Sequence, residues 1–103
     1  MIKISIKNKN GNVYEIVVKG HANYDDYGKD IVCSAVSSIA LTTINGIISI
    51  KDDTIKCNSS EGMMVIEILK DDEITNSLIN NMIIMLKELE NKYPKNIKIK
   101  EGV

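Results

Sequence analysis

A helical run beginning at Val32 limits the folds open to this chain more than any other stretch. Val32, Ala35, Val36, Ile39, Ala40, Thr43, Ile47 and Ile50 recur at the spacing of one helix face. Small residues are interspersed among them: Ser34, Ser37, Ser38, Thr42 and Gly46. Small side chains let a sheet or a second helix approach closely, so this helix is expected to be central and largely buried. The other elements must cover it. In 103 residues there is room for one domain and no more.

The covering elements can be read on both sides. Ile2, Ile4 and Ile6 alternate with Lys3, Ser5 and Lys7, the period of a half-buried strand over Met1 to Lys7. Asn10-Gly11 is a hairpin turn signal, and a second strand returns from Val13 to Lys19 with Ile16 and Val18 on one face. A polar loop, Ala22 to Lys29, leads to the helix, with Asp30 as its N-cap. Beyond the helix, Thr54 to Cys57 reads as a short strand, Asn58 to Gly62 as a turn and Met63 to Leu69 as a strand. A second helix follows from about Asp72 to Lys92, with acids in its first turn and Pro94 at its end. Its buried stripe is Leu78, Ile79, Met82, Ile83, Leu86 and Leu89, widened by Ile84 and Met85, with Met82 and Met85 as core filler. Ile97 and Ile99 belong to a final strand. The expected fold class is α+β: one mixed sheet with two helices, in the order β-β-α-β-β-α-β.

Composition narrows the function classes. With 44% hydrophobic and 26% charged residues the chain has the make-up of an ordinary globule, and lacking Trp and Phe it must fill its core with Ile, Val, Leu and Met. Thirteen basic against fourteen acidic residues leave no basic excess for a nucleic-acid face. Neither a signal peptide nor an uninterrupted apolar run approaching the ~20 residues of a membrane span is apparent. The cytoplasm is the expected compartment, where both thiols stay reduced. One His and two Cys lack the paired spacings of zinc sites, and no phosphate-binding glycine loop is present. Neither a metal nor a cofactor is expected.

The chemistry-bearing residues lie between strand two and the helix. His21, the single histidine, falls just past the second strand, and Cys33 falls in the first helical turn. A helix start favours the thiolate, and a nearby imidazole can take its proton and later deliver it to a leaving amine. Free N–H groups of the first turn, at Cys33 or Ser34, are candidates to hold an oxyanion. The same residues fit a plainer reading, with Cys33 as a small buried hydrophobe and His21 as a polar surface residue. Cys57 has no activating neighbour in the sequence and is read as a structural thiol. Two further readings stay open, a peptide-binding module without catalysis and a thiol redox protein using Cys33 and Cys57, while the balanced charge disfavours an RNA binder.

Gly20-His21-Ala22, then Gly28, Asp30-Ile31-Val32-Cys33 and Ser37 together resemble a known pattern, that of the bacterial ribosomal-processing cysteine proteases called Prp. Ser34 departs from it, since many members carry Ala there. The resemblance covers essentially residues 1–103 and implies a single cysteine protease domain of that type. It implies His21 as general base and Cys33 as nucleophile, with Asp30 and Ser37 supporting them. It further implies removal of an N-terminal extension from a large-subunit ribosomal protein by cleavage after Phe, and a homodimer, with a non-catalytic ribosome-assembly module using the same groove as the alternative. From charge and apolar patterning, no nucleic-acid or membrane partner is expected. Ala22, Tyr24, Tyr27, Gly28 and Ser34 are the expected substrate-contacting positions.

Overall fold

The Ile alternation at the chain start is satisfied by a sheet with one dry face. In the computed structural model, which describes residues 1–26 and 29–102, β1 (Ile2–Lys9) and β2 (Asn12–Lys19) form the Asn10-Gly11 hairpin. Asn10 and Gly11 both take positive φ, 54° and 82°, as a two-residue hairpin turn requires. After α1 (Ile31–Ile50) come β3 (Ile55–Ser60), β4 (Met63–Ile68), α2 (Glu73–Lys92) and β5 (Ile97–Glu101). The strand order is β3-β4-β2-β1-β5, with only β1 and β5 parallel. The expected α+β class, mixed sheet and element order are all present.

Register aligns the apolar residues across the sheet. Ile6, Ile16 and Ile66 lie in one row with Cys57, and Ile4 lies beside Val18 and Ile99. On the opposite face Lys7, Glu15, Glu67 and Lys56 stand in a row, so two central glutamates are flanked on either side by a lysine. Both helices cover the apolar face. From α2, Ile79, Met82, Ile83 and Leu86 are buried; from α1, Val32, Val36, Ala40, Ile44 and Ile47. Each fully buried Ile or Leu contributes about 1.5–3 kcal/mol, which is how a core without Trp or Phe suffices.

Four expectations need correction. Strand β3 continues through Ser60, and only Glu61 and Gly62 form the turn. The polar Asn58-Ser59-Ser60 run has turn composition, yet pairing with β4 satisfies its backbone, and its polarity suits a sheet edge. Helix α1 is buried along one stripe rather than largely buried: Ile44 belongs to that stripe, whereas Ile50 is 56% exposed and Leu41 and Ile48 face outward. Met82 is core, but Met85 is 40% exposed. Finally, the 20 residues of α1 carry no charge, and by length and composition alone the helix could cross a membrane. Its Val32–Ile47 stripe is instead packed on the sheet, the arrangement of a core helix.

One buried polar contact joins β3's approach to α2. The hydroxyls of Thr54 and Thr75 lie 2.7 Å apart, and both residues are almost fully enclosed. Removing one hydroxyl orphans the other, at a cost of about 1–3 kcal/mol. Thr75→Val is therefore expected to lower the urea midpoint clearly. The Thr54→Val/Thr75→Val double variant is expected to recover most of that loss, and an additive second loss would refute the pairing.

Candidate active site

A single carboxylate builds the start of α1. Asp30 lies just before the helix, and its Oδ1 accepts the N–H groups of Val32 and Cys33, each at 3.0 Å. Its Oδ2 accepts from Tyr24 at 2.9 Å and from Asp25 at 3.4 Å. One side chain thus caps the helix and ties down the preceding loop. Asp30 is buried, 8% exposed. Burial alone would push its pKa up, but the N–H donors of Cys33, Tyr24, Asp25 and Val32 outweigh it and hold the carboxyl below its ordinary value.

This cap consumes the donors that the sequence offered to an oxyanion. The Cys33 N–H goes to the Asp30 carboxylate, and the Ser34 N–H goes to the Asp30 carbonyl at 3.1 Å. Neither is free, because a helix start with a good N-cap fills its own first turn. The donor directed at the sulfur comes from elsewhere. The Ala22 N–H meets Cys33 Sγ at 3.2 Å.

Ala22 and His21 are brought there by the end of β2. Gly20 has φ +93°, and a Cβ at that position would come within 2.7 Å of the Met1 carbonyl oxygen, so only glycine fits. Its N–H donates to the Gly62 carbonyl at 2.8 Å, fastening the end of β2 to the β3–β4 turn. Gly62 borders the imidazole at φ +73°, and a Cβ there would stand in ordinary contact, 3.4 Å from His21 Nε2. His21 itself is exposed. Among the described residues it makes no hydrogen bond to the Cys33 sulfur, yet both side chains wall the same open space.

Two clefts share His21, Cys33 and Ser37. The larger, about 580 Å³, is also lined by Asn23, Asp25, Asp30, Ser34 and Glu61. The smaller, about 170 Å³, has apolar walls from Ile2, Val18, Val36, Met63 and Met64. The three carboxylates of Asp25, Asp30 and Glu61 make the larger cleft acidic, with Asp30's charge engaged by its four N–H partners. Among the described residues, no three His, Cys, Asp or Glu side chains converge as a metal site.

The remaining expected positions divide. Ser34 and Ser37 face the cleft. Ala22 is 1% exposed, so its methyl belongs to the core and only its backbone reaches the site. The Tyr24 ring lies edge-on against Tyr93, centroids 5.5 Å apart, and does not line either cleft. Tyr27 and Gly28 fall outside the described residues. Cys57 sits half-buried on β3, where burial pushes its thiol pKa up, and it too lines neither cleft. Asp25, Glu61 and Asn96 were not singled out in the sequence. Asn96 donates through Nδ2 to the Ala22 carbonyl at 3.0 Å across a separation of 74 residues, so no local pattern could reveal it.

Comparison with known proteins decides the family. The cysteine protease Prp family model matches residues 1–98. The chain belongs to the Prp family of cysteine proteases. The ribosomal processing cysteine protease Prp of Mycoplasma genitalium is 33% identical, covering 98% of this chain and 96% of that protein. The crystal structure of the Staphylococcus aureus Prp with a covalently linked product peptide superposes with a TM-score of 0.93 at 26% identity, covering 99% of this chain and 100% of that one. The same protease with a substrate peptide gives 0.87 at 25% identity, with equal coverage. The Staphylococcus aureus Prp therefore shares this fold over the length of the chain.

The Asp30 clamp generates a test. Asp30→Ala leaves four backbone donors without their partner and is expected to cost about 2 kcal/mol or more in urea unfolding. Because the folded-state pKa is depressed, this contribution is complete above the unfolded value of about 3.9 and is lost as pH falls through the lower folded value. Asp30→Asn is expected to flatten that acid limb of the stability curve. An unchanged limb would remove the carboxylate from its assigned role.

Proposed function

We propose that this protease removes the N-terminal extension of a bacterial large-subunit ribosomal protein, cleaving after Phe with Cys33 as nucleophile and His21 as general base. The observation that carries the reading is the shared cleft. The sulfur at the head of α1 and the imidazole at the end of β2 open into the same space, and a backbone N–H already points at the sulfur. The Staphylococcus aureus relative, crystallised with a substrate peptide and with a covalently linked product peptide, supports a peptide in the corresponding groove.

The chemistry follows from those atoms. His21 takes the thiol proton, and the Cys33 thiolate attacks the scissile carbonyl carbon, forming a C–S bond and an oxyanion. The Ala22 N–H, already directed at the sulfur, is the backbone donor offered to the charge that develops there. Collapse of the intermediate breaks the C–N bond while imidazolium protonates the leaving amine. Water, deprotonated by the same imidazole, then hydrolyses the thioester. Asp30 keeps the helix start rigid, and Ser34 and Ser37 offer hydroxyls along the larger cleft. The apolar hollow of Ile2, Val18, Val36, Met63 and Met64 beside the sulfur suits the side chain of a Phe before the scissile bond.

A second copy of the chain is the proposed partner. The outer sides of α1 and α2 leave Leu41 and Ile48, Ile84 and Met85 exposed, at 44%, 43%, 56% and 40%. A groove of about 280 Å³ between the helices, lined by Ile39, Thr42, Thr43, Asn81, Met82 and Met85, continues this surface. Apolar area of this kind on a small globule marks an association surface.

Two measurements test these readings. With a peptide spanning the processing site, Cys33→Ser and His21→Ala are each expected to lower kcat/KM at least ~10³-fold with the fold retained, whereas Cys57→Ser is nearly neutral. Wild-type turnover in Cys33→Ser would reject the nucleophile, and an equal loss in Cys57→Ser would favour thiol redox chemistry. Light scattering on the purified protein is expected to give twice the chain mass, and Leu41→Glu/Met85→Glu the single mass. A monomeric wild-type protein would overturn the dimer.

A further inference from the structure

We infer that Asn96 is a positioning residue for the active site, holding the Ala22 backbone so that its N–H meets the Cys33 sulfur. The inference rests on the protease reading of Cys33. Ala22 is gripped on both sides: its N–H donates to Cys33 Sγ at 3.2 Å, and its carbonyl accepts the Asn96 amide at 3.0 Å. Its methyl is enclosed in the core, so the residue cannot slide between these two bonds. The next residue, Asn23, has φ +55°, the left-handed conformation that turns the chain away immediately after the clamp.

Asn96 is itself fixed by backbone contacts that no side-chain substitution removes. Its N–H donates to the Tyr93 carbonyl at 3.0 Å, and its carbonyl accepts from Ile2 at 2.9 Å. The same corner after α2 presents the Tyr93 ring, against which Tyr24 packs edge-on at 5.5 Å. The α2–β5 corner therefore contacts the active-site loop twice, at Ala22 and at Tyr24. Asp30 fixes that loop from the helix side, and Asn96 fixes it from the sheet side. Without the amide donor, the Ala22 carbonyl loses its anchor and the opposite N–H drifts from the sulfur. The sulfur then loses the N–H that would stabilise its negative charge once His21 takes the thiol proton.

The test uses Asn96→Asp, which keeps the shape and removes the donor, and Asn96→Ser, whose hydroxyl is too short to reach. The titratable groups that share the cleft with Cys33, namely His21, Asp25, Asp30 and Glu61, remain in every variant. Iodoacetamide alkylation of Cys33 at neutral pH is expected to slow about tenfold in both variants, with its pH profile displaced to higher pH. Peptide cleavage is expected to lose about tenfold in kcat with KM little changed, while circular dichroism stays that of wild type. Asn96→Gln, which retains an amide donor, is expected to restore most of the alkylation rate. Folded Asp and Ser variants that alkylate and cleave at wild-type rates would overturn the inference while leaving the protease reading intact. A wild-type protein that neither cleaves the peptide nor alkylates preferentially at Cys33 would instead remove that reading, and this inference with it.

Discussion

The Asp30 carboxylate is the contact on which the site depends. Its two oxygens receive four N–H groups, two from the first turn of α1 and two from the loop between β2 and α1. Hydrogen bonds to a charged group are stronger than neutral ones, and here they fix two segments relative to one another. The position of Cys33 follows from the helix side of that clamp, and the path of the backbone beyond Ala22 follows from the loop side. The arrangement has an electrostatic consequence. The positive end of α1 is already met by an anion, so its first-turn donors serve the cap rather than substrate. The group that faces the sulfur must come from another element, and the Ala22 N–H supplies it.

That second element is held by glycine at both of its contacts. Gly20 passes so close to the Met1 carbonyl that a side chain is excluded, and Gly62 takes a positive φ, +73°, beside the His21 ring. The Gly20–Gly62 backbone hydrogen bond then keeps the β2 end and the β3–β4 turn together. The catalytic pair proposed here thus sits close to two termini of regular structure, His21 two residues past β2 and Cys33 in the first turn of α1. Such placement limits the motion of both groups to that of the sheet and of α1.

The sequence made most of this fold legible because its elements follow their own periods. The Ile alternation, the Asn10-Gly11 turn and the stripe of α2 each have a local physical cause, and each element lies where that cause predicts. Errors arose where tertiary pairing overrode local composition. Asn58-Ser59-Ser60 reads as a turn but is held as an edge strand by β4. Apolar residues at the end of α1 read as core but project outward, since helical spacing alone does not say how wide a stripe the sheet can cover. At the site, the His21 and Cys33 blocks were legible because they are contiguous in sequence. The fate of the first-turn N–H groups was not, since a capping residue and an oxyanion compete for the same donors and the sequence does not name the winner.

What lay furthest from view was the side-chain hydrogen bond from Asn96 to Ala22, which spans 74 residues. Asn96 follows Pro94 in a polar stretch whose composition indicates only a helix stop. Its role comes from topology. α2 starts after β4 and must cross β2 and β1 for the chain to pair β5 with β1. That crossover brings the end of α2 to the side of the sheet where β1 starts and β2 ends, which is also where α1 begins. Parallel pairing of β5 with β1 fixes the corner further, because Ile2 pairs with Ile97 and donates to the Asn96 carbonyl. The parallel strand pair thus does more than close the sheet edge. It sets the Asn96 amide donor against the backbone of the active-site loop, so the pairing that closes the sheet edge also supports the site.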